Sequence, residues 1–192
     1  MMAISDIIKP TSESAIKALQ NQGIEIIMLT GDSETSAKHI AEQVGIKTTV
    51  SELTPSGKED FIKDLQKQRK KVAMVGDGIN DSQALARADV SIAMGTGSDI
   101  AMDVAQITLI NADLKYIEKA IKLSKGISRG IRENLFWAFV YNVIGIPIAA
   151  GLLYPINGFL LDPMIAGAAM AMSSVSVVLN SLRLKTLKLW IQ

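Results

Sequence analysis

The chain has 192 residues, enough for about one domain of ordinary size, and its 20 basic and 19 acidic side chains give a formal net charge of +1. A balance this close to zero does not favour nucleic acid as a partner, because nucleic acid requires a basic excess. The sequence has no cysteine, which excludes disulfides and thiolate metal sites built from this chain alone. Mean hydropathy is +0.27, but charges concentrate in residues 1–133, and Asp162 is the one charged residue from 134 to 182.

The first part of the chain alternates predicted helices and strands. Thr11–Gln22 has the pattern of an amphipathic helix, and the apolar run Ile24–Leu29 is typical of a buried parallel strand. Ser33–Val44 returns to helical spacing, and Gly45 is expected to end that helix.

The same alternation continues further along the chain. Pro55–Gln68 is predicted to be helical, with Pro in the first turn, where it is tolerated. Val72–Val75 predicts a second buried strand, and a helix is expected to begin near Asn80. Val90–Ala93 and Ile107–Ile110 predict two more strands with a helical segment between them. This order is typical of a parallel sheet with helices on both faces.

Two polar, glycine-containing loops directly follow predicted strands. They are Thr30-Gly31-Asp32 and the segment from Gly76 to Asp81, Gly-Asp-Gly-Ile-Asn-Asp. Working residues of parallel sheets lie on loops at the carboxyl ends of the strands. We therefore expect both loops at the same edge of the sheet.

The side chains of these loops suit a phosphate and a magnesium ion. Asp77 and Asp81 are hard oxygen ligands four residues apart, and Mg²⁺ usually takes one or two carboxylates and shares its remaining positions with phosphate and water. Thr30 offers a hydroxyl group to a phosphate. Lys58, near a helix start, is placed to neutralise phosphoryl charge.

Each feature also has a purely structural interpretation. Thr-Gly-Asp is a common turn, Asp77 and Asp81 can be a helix cap and its neighbour, and a lone Lys near a helix start is usually solvated. The combination, in this order along the chain, favours a site for phosphoryl chemistry over three coincidences.

The two loop segments, Met28–Asp32 and Met74–Asp81, resemble the signature segments of P-type ATPases, within the haloacid dehalogenase-like superfamily. The resemblance implies that Thr30 contacts the phosphoryl group and that Lys58 stabilises it. It implies catalytic positions also for Gly31, Asp32 and Asn80, and it places Asp77 and Asp81 on the Mg²⁺ side of the site. Asp6 resembles an Asp near the domain hinge of the family.

The resemblance also names what this sequence lacks. The phosphorylated Asp of the family lies in an Asp-Lys-Thr-Gly segment, which is absent here, as is the ATP-binding domain that follows it. We therefore expect residues 1–125 to form a partial α/β parallel-sheet phosphorylation domain, missing the N-terminal part of the same ATPase. As an isolated chain it is expected to be inactive.

The second part, residues 126–192, is expected to be an all-α transmembrane hairpin in contact with lipid. Leu135–Tyr154 and Pro163–Leu182 are uncharged, and each is long enough as a helix to cross about 30 Å of hydrocarbon. The alternative is a pair of buried core helices. Lys and Arg flank the outer ends of both stretches and are missing from the connecting loop, which predicts two cytoplasmic termini.

Polar side chains inside these stretches are candidate ion ligands. Tyr141 and Asn142 lie in the first, and Met170 and Ser174 lie one helical turn apart in the second. An ordinary Met filler and a Ser bonded to its own backbone remain the alternative. A thioether with hydroxyl and amide oxygens suits Cu⁺ better than Ca²⁺.

The Tyr141-Asn142 pair and the segment from Met170 to Ser174 resemble the late-helix signatures of the copper-transporting subgroup of P-type ATPases. The resemblance implies an integral protein, in the plasma membrane, that exports Cu⁺ with ATP and Mg²⁺. A pump for another heavy metal, or a non-catalytic chain that pairs with a separate one, are the alternatives. A membrane-anchored phosphatase would require an Asp-X-Asp at a strand end, which is absent.

Overall fold

The computed structural model describes residues 8–76, 79–95, 103–158 and 162–183. Asp6, Asp77 and the segment 96–102 lie outside these ranges; this segment is part of the region where a helix is predicted between the last two strands. The chain divides into two compact units, Met1–Glu118 and Lys119–Gln192.

The first unit has the predicted alternation of helices and parallel strands. Its helices are α1 (Ser12–Gln20), α2 (Glu34–Val44), α3 (Pro55–Lys67) and α4 (Ser82–Arg87), and its strands are β1 (Ile27–Leu29), β2 (Thr48–Val50), β3 (Ala73–Gly76), β4 (Val90–Met94) and β5 (Ile107–Leu109). A 3-10 turn, Ile79–Asp81, leads into α4. The sequence analysis missed β2, because its Thr-Thr-Val sequence is not an apolar run.

Local chemistry explains where two of these helices begin and end. Gly45 ends α2 with φ of +77°, a left-handed conformation that glycine adopts without a steric penalty. Thr54 caps the start of α3, because its side-chain oxygen accepts a hydrogen bond from Gly57 N at 3.1 Å. Both ends agree with the sequence-based bounds.

The strands form two separate parallel sheets. β1 pairs with β2, and β3 pairs with β4, which pairs with β5. The parallel α/β architecture is therefore confirmed, whereas the expected single sheet is not present among the described strands. A parallel ladder requires neighbouring strands about 4.8 Å apart, and β1 and β3 take their partners from different strands. As a result, β1 is half-exposed instead of buried.

A compact apolar cluster holds α3 against α4 and β3. Ile62 of α3 and Leu85 of α4 are almost completely buried, at 1% and 0% exposure. Met74, Ala84 and Ala88 complete the cluster. Burying such side chains supplies about 25 cal/mol per Å² of apolar surface, and this packing fixes α3 relative to the turn that precedes α4.

The last helices contain the two predicted apolar stretches. Helix α5 spans Lys115–Ala149, α6 is the single turn Tyr154–Asn157, and α7 spans Pro163–Arg183. Helix α5 runs without a break from Lys115 into the first apolar stretch. It ends at Ala149 instead of Tyr154, because Gly151 adopts a φ of +87° just beyond Pro147, and Gly151 N bonds back to Ile148 O at 3.0 Å.

Many large apolar side chains of α5 and α7 are exposed. Phe139, Ile146 and Leu179 are 68%, 63% and 61% exposed. In the described parts of the chain, none of the helices combines the length and the apolarity needed to cross a membrane. The two predicted spans are thus helical, but they are not supported as membrane spans.

Candidate functional site

Lys58 and Asp81 form an ion pair in the first unit. Lys58 Nζ donates a hydrogen bond to Asp81 Oδ1 at 2.7 Å, and both side chains are 14% exposed. Charges this shielded from water interact more strongly than surface pairs, because the effective dielectric around them is lower. The two residues that the sequence analysis assigned to a phosphate and a Mg²⁺ ion are therefore in direct contact.

The packing of α3 on α4 brings this pair together. Lys58 lies four residues into α3, and Asp81 closes the 3-10 turn before α4. Ile62, one helical turn after Lys58, is buried against Leu85 in the apolar cluster. Sequence spacing alone could not have shown the contact, since 23 positions separate the two residues.

Gly76 makes room for the Asp81 side chain. A Cβ atom at position 76 would lie 2.7 Å from Asp81 Oδ2 and 2.8 Å from Asp81 Cβ, closer than side-chain atoms normally approach. Any residue but glycine at the end of β3 would push the carboxylate away from Lys58. The sequence analysis did not single out this role, although a glycine at a strand end next to acidic residues is the signal for it.

The Thr30-Gly31-Asp32 loop forms a tight turn after β1. Thr30 Oγ1 donates to Asp32 Oδ2 at 2.8 Å and accepts a hydrogen bond from Asp32 N at 3.1 Å. The turn interpretation is therefore correct as local structure. In this arrangement the Thr30 hydroxyl already donates a hydrogen bond to the Asp32 carboxylate. The hydroxyl could donate to a phosphate oxygen only after that hydrogen bond breaks.

Backbone contacts join this loop to the start of α3. Leu53 N donates to Thr30 O at 3.0 Å, and Glu52 N donates to Asp32 O at 2.9 Å. A Cβ at Gly31 would lie 3.3 Å from Leu53 O, so the backbones approach closely. Leu53 directly precedes Thr54, which caps α3. The predicted Thr30 loop thus adjoins the amino-terminal end of α3, the helix that carries Lys58.

Asn80 lies exposed in the 3-10 turn, and Asp77 is outside the described residues. Within residues 8–76, 79–95, 103–158 and 162–183, no three His, Cys, Asp or Glu side chains form a group that could hold a metal ion. The Asp81 carboxylate, shielded at 14% exposure and reached by a glycine backbone, fits one protein ligand of Mg²⁺, which needs only one or two.

The four predicted ion ligands lie on α5 and α7. Tyr141 is 45% exposed, and Asn142 Nδ2 donates to Ala138 O of its own helix at 2.9 Å. Ser174 lies on α7, as does Met170, whose side chain falls outside the described ones. Both pairs lie on helices, as expected.

Two carboxylates outside the candidate site have lowered pKa values. The Lys71 ammonium, Val72 N and Gln66 Nε2 donate hydrogen bonds to Asp89, and they hold its pKa well below 3.8. Desolvation raises the pKa of Asp113, but hydrogen bonds from Lys115 N and Thr11 Oγ1 outweigh it and lower the pKa. Both carboxylates hold neighbouring segments together through these hydrogen bonds.

Comparison with known proteins gives consistent results. Residues 1–89 match a family described as haloacid dehalogenase-like hydrolase. The chain is 55% identical, over 96% of its length, to a probable copper-transporting ATPase, PacS, of Synechocystis sp.. It is 51% identical, over 98% of its length, to a silver exporting P-type ATPase of Salmonella typhimurium.

A solved structure agrees with these relatives. The crystal structure of a zinc-transporting PIB-type ATPase in the E2.Pi state matches 94% of this chain with a TM-score of 0.82 and 30% sequence identity. The chain covers 28% of that structure's chain. It spans about a quarter of the length of the curated relatives it matches, 25% and 23% of those two.

Proposed function

We propose that the chain is part of an ATP-driven Cu⁺ exporter. Residues 1–89 match a haloacid dehalogenase-like family, and the chain is similar over nearly its whole length to copper-transporting P-type ATPases. The missing part would precede these residues in a longer polypeptide. The single observation that carries the phosphoryl half of the proposal is the shielded contact of Lys58 with Asp81 next to the Thr30 loop.

The proposed role of the first unit is to stabilise charge on a phosphoryl group. Lys58 and the amino-terminal end of α3 are positive, and the backbones of Thr30 and Gly31 lie beside that end. Asp81, with Asp77, would hold Mg²⁺, which when bound neutralises phosphate charge. Asp32 orients Thr30 through the 2.8 Å hydrogen bond, and Asn80 contributes a polar contact from the same turn as Asp81.

The nucleophile of this reaction would come from outside the chain. Lys58 and Asp81 supply charge stabilisation and a metal ligand, but neither offers the carboxylate of an Asp-Lys-Thr-Gly segment. The separation of β1–β2 from β3–β4–β5 supports the same idea, because one further parallel strand between β1 and β3 would join the two sheets. That strand would carry the phosphorylated Asp, and the ATP-binding domain would follow it.

The proposed role of the second unit is membrane insertion. Exposed side chains such as Phe136, Phe139 and Val178 leave α5 and α7 with apolar surfaces unsuited to water. Basic residues flank the outer ends of both stretches, as cytoplasmic ends require. We place both termini in the cytoplasm and the protein in the plasma membrane, with lipid around the hairpin.

The proposed cargo is Cu⁺, held in part by Tyr141, Asn142, Met170 and Ser174. Thioether sulfur prefers a soft monovalent ion, and copper is the metal in the names of relatives such as the Synechocystis protein. The silver exporter and the zinc-transporting structure keep two rivals open, a pump for Ag⁺ and a pump for Zn²⁺. A non-catalytic chain that pairs with a separate one is the third.

A transport assay separates these possibilities. Inverted membrane vesicles containing the complete polypeptide should take up Cu⁺ when ATP and Mg²⁺ are added, and alkaline carbonate should not extract the protein. Met170→Ala should reduce uptake at low Cu⁺ concentration, while Lys58→Met should abolish it at every concentration. Uptake of Zn²⁺ in preference to Cu⁺ would contradict the cargo, and release of the protein by carbonate would contradict the hairpin.

A further inference from the structure

Three polar side chains connect α5 and α7 inside the second unit. Asn134 Nδ2 donates to Ser181 Oγ at 3.1 Å, and Asn180 Nδ2 donates to Asn134 Oδ1 at 2.7 Å. Asn134 therefore uses its donor and its acceptor at once, both towards the other helix. We call these three residues the amide clamp.

The clamp lies at the matching ends of the two apolar stretches. Asn134 directly precedes the apolar half of α5, and Asn180 and Ser181 lie within the last turn of α7. A contact between the start of the first apolar stretch and the end of the second is the contact of an antiparallel pair. The residues next to the clamp inside the two stretches, Leu135–Val140 and Val177–Leu179, are apolar and set the register only weakly, because such side chains can slide past one another.

Two candidate ion ligands lie seven residues from the clamp, so the register at the clamp also sets their relative height. Tyr141 lies seven residues after Asn134, and Ser174 lies seven residues before Ser181. Seven residues make nearly two helical turns, about 10.5 Å, and return to the same helix face. Antiparallel helices joined at Asn134 and Ser181 therefore present Tyr141 and Ser174 at the same height and on the facing sides.

We propose that the amide clamp is a positioning device that sets the register of α5 against α7 and so brings Tyr141 and Ser174 to the same level. The proposal rests on the proposed function, because it assigns the clamp to the ion site of a Cu⁺ pump. Asn134 does not touch the ion: it acts through the helix that carries Tyr141.

Amide side chains suit this purpose for a physical reason. Interhelical hydrogen bonds in an apolar environment are directional, whereas contacts between apolar side chains and lipid tails discriminate weakly between registers. A one-turn slip would break both interhelical bonds of Asn134, and their loss costs free energy. The same slip would separate Tyr141 from Ser174 by about 6 Å along the helix axis.

Copper activation of the complete ATPase tests the functional half. Asn134→Ala removes both bonds, and it should raise the Cu⁺ concentration for half-maximal ATP hydrolysis about 3- to 15-fold, with the maximal rate nearly unchanged. The exchange Asn134→Ser with Ser181→Asn restores a polar pair across the helices and should recover the lower concentration. Ser176→Ala is the matched control, because its hydroxyl bonds Ser173 O of its own helix at 2.7 Å.

Thiol cross-linking tests the register directly. Because the 192-residue chain has no cysteine, a pair placed at Ala138 and Val177, one turn inside the clamp on each helix, supplies its only thiols. In phosphatidylglycerol–phosphatidylcholine vesicles a short bifunctional reagent should join this pair and not the shifted pair at Ala138 and Ser173. Asn134→Ala should make the two pairs react alike.

The two experiments separate failure of the clamp from failure of the proposed function. Absence of any Cu⁺ response in the unmodified ATPase would reject the pump, and the cross-links would still report the register. Equal reaction of both cysteine pairs in the unmodified chain, or an Asn134→Ala variant with an unchanged cross-linking pattern, would overturn the clamp. So would a loss of maximal rate with no change in the half-maximal Cu⁺ concentration.

Discussion

Asp81 lies so close to Gly76 that a Cβ atom on the glycine would come within 2.7 Å of the carboxylate oxygen Oδ2. The other carboxylate oxygen, Oδ1, accepts the hydrogen bond from Lys58 Nζ at 2.7 Å. The carboxylate is thus confined on one side by a backbone and on the other by an ammonium group. The first two predictions follow from this confinement.

Replacing Gly76 with alanine should destabilise the first unit and stop phosphoryl turnover. The added methyl group overlaps Asp81 Cβ as well as its carboxylate, so rotation of the side chain cannot relieve the clash. We expect a loss of about 1–3 kcal/mol in the free energy of unfolding, measured by urea denaturation. Gly145→Ala is the control, because a Cβ there meets nothing within 4 Å, and it should leave the first unit's stability unchanged.

A double-mutant cycle on Lys58→Met and Asp81→Asn should reveal strong coupling. The pair is largely shielded from water, and removing one partner leaves the other charge without compensation, so we expect about 1–3 kcal/mol of coupling. The exposed pair Lys67 and Asp64 of the same helix is the control. Its coupling should be about 0.2–1 kcal/mol, and equal coupling in the two cycles would show that shielding is unimportant.

Asp89 should make stability depend on acidic pH. Its pKa in the folded chain is lower than its ordinary value of 3.8, because Lys71, Val72 N and Gln66 donate to the carboxylate. The contribution is therefore fully present above pH of about 5 and is lost as the pH falls below 3.8 towards the folded pKa. In urea denaturation, the Asp89→Asn variant should lose less stability between pH 5 and pH 3 than the unmodified chain. If the stability of both proteins fell equally with pH, the lowered pKa of Asp89 would be contradicted.

The chain alone should not become phosphorylated by ATP. It has no Asp-Lys-Thr-Gly segment to supply the nucleophile, although Lys58 and Asp81 are in place. Incubation with radiolabelled ATP and Mg²⁺ followed by acid precipitation should leave no hydroxylamine-labile phosphate on the 192-residue chain. Such a phosphate would mean that a carboxylate within this chain is the acceptor.

Periodicity predicted the order of helices and strands well, because helix α2 and helix α3 have clear ends at Gly45 and Thr54. The sequence assigned Lys58 and Asp81 to one site, but it did not predict their direct contact. That contact depends on how Ile62 packs against Leu85, and a linear pattern does not contain that information.

The last helices show the same limit. Hydropathy located both apolar stretches, but it placed the end of the first at Tyr154, five residues beyond the end of α5 at Ala149. The positive φ of Gly151 ends the helix there, and a glycine within an apolar run does not by itself predict that conformation. The role of Asn134 was missed for a related reason: its partners, Asn180 and Ser181, lie more than 40 positions away.

The most direct test of the central claim is Cu⁺-stimulated ATP hydrolysis by a full-length copper ATPase whose matching end is replaced by residues 1–192. The proposed function predicts that the chimera responds to Cu⁺, that Asp77→Ala abolishes turnover, and that Met170→Ala weakens only the copper response. A chimera that responds to Zn²⁺ instead, or a Met170→Ala variant with an unchanged copper response, would contradict the copper assignment. A chimera in which Asp77→Ala leaves ATP hydrolysis intact would contradict the phosphoryl site itself.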